Sequence, residues 1–150
     1  MTVFQSRRKI ISALGVGIGL IASPTLAKGR YPPGTIVDYM NYIIYFEFDS
    51  AELTQDGLDV AKMFATFAAT GETDRVSVTG YTDTAGPSDY NMELSKQRTK
   101  IVADKLVELG VRSEKLFVNW KGETEPFLPT ADNVKEPLNR RVTIDFSLAD

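Results

Sequence analysis

The chain reads as an α/β (α+β) domain with element order β-α-β-α-β-β, a mixed four-stranded sheet packed with helices. Three observations predict this. Four short runs rich in β-branched and aromatic residues recur between residues 42 and 146. Two intervals between them are helix-length, with apolar residues at helical spacing. Gly, Pro, Asp and Ser gather at the joints. A chain of 150 residues suits one domain.

The first 27 residues read as a targeting segment. Arg7, Arg8 and Lys9 form a basic stretch, Ile10 to Ile21 is apolar but diluted by glycine, and Thr25-Leu26-Ala27 resembles a small-residue cleavage site. The apolar run is short for a membrane span. Ser6-Arg7-Arg8-Lys9-Ile10-Ile11 also resembles a twin-arginine export signal, and an ordinary secretory signal fits as well. Residues 28–41, with Gly29, Pro32, Pro33 and Gly34, read as a linker, which leaves a domain over 42–148.

Tyr42 to Phe48 is too short and too β-branched for a helix, and predicts a strand buried on both faces. Thr54 is placed to cap a helix running to about Ala69, with Leu58, Ala61, Phe64, Ala65 and Ala68 on one face and Gly71 as its stop. Arg75 to Gly80 alternates and predicts the second strand. A long helix follows over Ser88–Leu109, closed by Gly110. Arg112 to Lys115 is a turn, Phe117 to Trp120 the third strand, residues 122–138 a long loop, and Arg141 to Phe146 the fourth strand. Helices then cover one or both faces of the sheet.

Composition excludes several chemistries. The chain has no Cys and no His, which removes thiol nucleophiles, disulfides, His-based triads and His metal sites, and no cofactor or metal is expected. The net charge is −3, and removing the +3 targeting segment leaves −6. An acidic domain without a basic stripe argues against nucleic acid and anionic lipid as partners.

Two residues stand out against this background. Asp83 lies in the Gly-bounded run Gly80-Tyr81-Thr82-Asp83-Thr84-Ala85-Gly86, between a strand and a helix, where acids commonly cap turns. Arg98 follows fifteen residues later, near the middle of the apolar stripe formed by Leu94, Ile101, Val102, Leu106 and Leu109. An arginine facing the core needs a partner. Lys105 shares that stripe, but its long stem can reach out to solvent. Helical side chains lean toward the N-terminus, so Arg98 and Asn91 lean toward the Asp83 loop. Asp83 and Arg98 are thus either two poles for a zwitterion, ammonium on the acid and carboxylate on the arginine, or a direct salt bridge with no ligand. If the first two strands are parallel neighbours, Asp49 in the turn after the first strand lies on the same sheet edge. Of Arg140 and Arg141, one is expected to be structural or beside the site and the other solvated.

Several motifs in one order carry a resemblance. They are Phe46-Glu47-Phe48-Asp49-Ser50-Ala51-Glu52-Leu53-Thr54, the Asp83 loop, Tyr90-Asn91 with Leu94-Ser95 and Arg98, Gly122-Glu123 with Pro126, and Asn139-Arg140-Arg141-Val142. Together they resemble the OmpA-like C-terminal domain shared by outer-membrane protein A, the peptidoglycan-associated lipoprotein and the flagellar stator B subunit, over residues 40–148. The resemblance implies non-catalytic binding of peptidoglycan in the periplasm through the meso-diaminopimelate of its stem peptide. Asp83 matches the family acid that takes the ammonium and Arg98 the arginine that takes the carboxylate. Phe48, Asp49, Asn91, Leu94 and Gly86 match positions that line the same pocket. The chain departs from relatives that carry His at the position of Tyr81, or Arg at that of Glu136. With no lipidated Cys and no barrel, the domain is expected free in the periplasm or held by another envelope protein, possible ties to the outer membrane included. Two other readings compete: a protein-interaction module, and a wall hydrolase using Asp49 and Asp83 as paired carboxylates.

Overall fold

The computed structural model of the protein describes residues 42–70 and 73–148. The targeting segment, the linker and the helix stop at Gly71 lie outside these residues. The described elements are β1 (Tyr42–Tyr45), α1 (Gln55–Ala68), β2 (Thr73–Gly80), α2 (Ser88–Glu108), β3 (Leu116–Trp120) and β4 (Arg141–Leu148), with single 3-10 turns at Ser113–Lys115 and Pro137–Asn139.

The sheet order is β1-β4-β2-β3. β4 runs antiparallel to both β1 and β2, so β1 and β2 are parallel but not neighbours. The last strand is threaded between the first two, splitting a βαβ unit. β2 and β3 are parallel neighbours joined through α2. The parallel strands still end at one sheet edge, so the turn after β1 and the loop after β2 meet there.

Both helices lie on one face, formed by Tyr42, Ile44, Val76, Val78, Val142 and Ile144. Ala61 and Phe64 of α1 and Val102 and Leu106 of α2 close this core. The other face carries Tyr45, Arg75 and Phe117 in the open. β1 is therefore buried on one face only, and it ends at Tyr45 rather than Phe48. Its last apolar residues, Phe46 and Phe48, belong to the irregular segment that builds the site edge.

Thr54 caps α1 as its position implies, its hydroxyl accepting from Gly57 N at 3.1 Å. On α2 the buried stripe differs from expectation. Ile101 and Leu109 are exposed, and Ser95, Thr99 and Ala103 are buried instead. Small residues are needed because α2 crosses the end of β2 closely: a Cβ on Gly80 would fall 2.3 Å from both Ser95 O and Thr99 Oγ1. Lys105 does reach out, pairing with Glu108.

Candidate functional site

The β1–α1 turn, the β2–α2 loop and the first three turns of α2 enclose a cleft of about 440 Å³. The turn supplies Phe48 and Asp49, the loop Asp83, Ala85, Gly86 and Pro87, and the helix Tyr90, Asn91, Leu94 and Arg98. All seven residues singled out from the sequence thus line one cavity.

Arg98 is fully buried as a residue. Its guanidinium is held by three carbonyls: Nε donates to Ser50 O at 2.8 Å, and the terminal nitrogens donate to Tyr81 O and Glu47 O, each at 3.1 Å. Three of five N–H groups are thereby used, and the side chain ties both site loops to α2. The Phe46 ring lies beneath, 5.2 Å from the guanidinium carbon. Burial pushes the Arg98 group down to about 10, with Asp83 acting against that fall and Arg140 adding to it. It remains charged at neutral pH.

Asp83 is also buried, and of the two arrangements open to the pair the direct bridge to Arg98 does not form. Its Oδ2 accepts from Arg140 at 3.1 Å and from Glu136 N at 3.2 Å. Arg140 in turn donates through Nε to Phe46 O at 3.1 Å. Arg140 is the residue that sequence reasoning left open. The expectation that one of the two arginines is solvated fails, since both are buried. Arg141 lies with its guanidinium carbon 3.9 Å from the centre of the Tyr81 ring and donates to Glu125 O. Desolvation by burial raises the Tyr81 phenol above its ordinary value, although the Arg141 charge works the other way. The site has this form because β4 enters between β1 and β2 and delivers Arg140 to their shared edge.

Asn91 shapes the loop. Its amide donates to the carbonyls of Asp83 and Ala85 at 3.3 and 3.2 Å and to Glu123 Oε2 at 2.6 Å. Gly86 turns the chain at φ 93°, in the left-handed region suited to glycine. Pro87 starts α2 without a side-chain cap, so the positive end of the helix faces the cleft. Leu94 adds apolar wall.

Asp49 adopts φ 53°, a conformation that strains a non-glycine residue and marks functional sites often enough to note. Its Oδ1 accepts from the hydroxyl of Tyr90, an exposed residue that sequence reasoning did not place in the site. This contact raises the Tyr90 phenol. The cleft therefore presents a fixed cation on its floor, one acid anchored to Arg140, and a second acid at the rim.

The protein is thus a small α/β domain with a cleft at the edge of a split βαβ sheet. A family model for the OmpA family matches residues 45–140, and the chain belongs to that family. An outer membrane protein of Gluconacetobacter diazotrophicus is 35% identical over 109 residues, covering 69% of this chain and 29% of that protein. The peptidoglycan-binding protein ArfA of Mycobacterium tuberculosis is 41% identical over 70 residues, covering 47% of this chain and 22% of its own. The chain thus spans less than a third of these two relatives. Among solved structures, the OmpA-like domain of FopA1 from Francisella tularensis superposes with a TM-score of 0.62 at 27% identity, over 72% of this chain and 74% of that one.

Proposed function

We propose that this domain binds peptidoglycan non-covalently in the periplasm, by gripping the meso-diaminopimelate of the stem peptide, and so tethers or positions its carrier at the cell wall. The observation that carries this reading is a buried, charged Arg98 and a cation-anchored Asp83 opening into one cleft. A zwitterionic amino-acid centre supplies the carboxylate that Arg98 can take with its remaining N–H groups. It also supplies the ammonium that Asp83 and Asp49 can take. Family membership, and a relative named for peptidoglycan binding, support the same reading.

The domain acts without catalysis. A glycan hydrolase needs one carboxyl to pass a proton and another to attack or activate water. Here Asp83 is occupied by Arg140 and a backbone N–H, and Asp49 by Tyr90. That arrangement holds charge in place.

Co-sedimentation with purified sacculi tests the proposal. The protein should bind diaminopimelate-type sacculi and release no soluble muropeptides. It should bind lysine-type sacculi much more weakly, since that peptide lacks the carboxylate for Arg98. Equal binding to both wall types would remove Arg98 from recognition, and sustained product release would overturn the non-catalytic reading. Asp83→Asn should abolish most binding at a temperature where its melt, lowered by the unpaired Arg140, still shows it folded. Wild-type binding by this variant would eliminate the site.

A further inference from the structure

We propose that Lys135, seated on the ring of Phe48 at the mouth of the cleft, is a second anion-binding point that takes another carboxylate of the same acidic peptide. This rests on the stem-peptide reading above and extends it outward from the diaminopimelate.

Lys135 differs from its counterparts. Lys62, Lys96, Lys100, Lys105 and Lys121 each face a carboxylate, and Lys115 donates to the Thr73 carbonyl. Lys135 has no such partner among the described residues. Its ammonium sits 3.9 Å from the centre of the Phe48 ring. Phe48 is itself 44% exposed and lines the cleft. The backbone at this point is fixed to the site as well. The next residue, Glu136, donates its N–H to Asp83, while Asn133 N bonds Thr84 O at 2.9 Å.

The acids nearby are already engaged. Asp49 takes the Tyr90 hydroxyl, Asp83 takes Arg140, and Glu136 Oε1 accepts from Leu138 N. The Lys135 charge is therefore held by a weak, exposed cation–π contact that an arriving carboxylate can displace. Meanwhile the ring offers an apolar surface to the ligand backbone. Residues flanking diaminopimelate in a stem peptide carry carboxylates of their own. A ligand whose amino-acid head fills the cleft lies against Phe48, and so within reach of the lysine that covers its ring.

Calorimetric titration tests the assignment with three probes: free meso-diaminopimelate, a diaminopimelate-containing stem tetrapeptide, and that peptide with its flanking carboxylates amidated. Wild type should bind the acidic tetrapeptide about 3- to 10-fold more tightly than the amidated one, a margin that shrinks with salt. Lys135→Met keeps an apolar stem over Phe48 and removes the charge. It should erase the margin and leave free diaminopimelate within about twofold of wild type. Lys135→Arg should preserve the margin. A methionine variant that still discriminates overturns the subsite, as does one that loses free diaminopimelate equally. Wild-type protein that binds none of the three probes overturns the stem-peptide reading and the subsite together.

Discussion

Arg140→Met isolates the charge pair that only the folded chain reveals. The side chains of Arg140 and Asp83 are 10% and 4% exposed, so solvent screens their interaction little. Methionine fills similar space but removes both the N–H directed at Asp83 Oδ2 and the one directed at Phe46 O. Asp83 is then a buried carboxylate that has lost its hydrogen-bonded cation, supported at Oδ2 by the Glu136 amide and only at longer range by the Arg98 charge. Breaking a buried pair from one side costs about 3–5 kcal/mol. For a domain of this size that corresponds to a fall in Tm of about 12 °C or more. Thermal and urea unfolding measure it directly. The double variant Asp83→Asn with Arg140→Met removes both charges, and should be about 2 kcal/mol less destabilised than the sum of the singles. Arg140→Met melting within about 2 °C of wild type would refute this account of how Asp83 is held. So would strict additivity in the double variant.

Two further outcomes follow from the geometry. Gly80→Ala should destabilise the domain by about 1–3 kcal/mol in chemical denaturation, because the new Cβ meets the Ser95 carbonyl at 2.3 Å and α2 must move away from β2; wild-type stability would show that the helix contact is slack. Ligand binding should be flat between about pH 6 and 8.5, since the chain has no His and burial leaves Arg98 charged until about pH 10. The depressed Arg98 value has a fixed sign: the charged form required for a carboxylate is present below that pH and lost above it, so the Arg98 contribution to affinity should fall on the alkaline side. A binding midpoint near neutrality would contradict this.

Much of the molecule was legible in the chain because its signals are local. A period of two marks β2 and β4, Thr54 marks the start of α1, and Gly86 marks the loop bend through its own backbone freedom. Arg98 could be placed toward the core from its helical position alone, and its lean toward the Asp83 loop follows from side-chain direction. These features depend on neighbours within one or two turns. The partners of those side chains do not. That Asp83 pairs with Arg140, 57 residues away, depends on β4 threading between β1 and β2. That Arg98 grips the carbonyls of Ser50, Glu47 and Tyr81 depends on both site loops converging over α2. The exposure of Ile101 and the burial of Thr99 likewise reflect how closely α2 approaches Gly80, a distance set by the sheet. Local sequence sets periodicity and turn chemistry; strand order and the approach of helix to sheet emerge from packing the whole chain, and those decided which charge meets which.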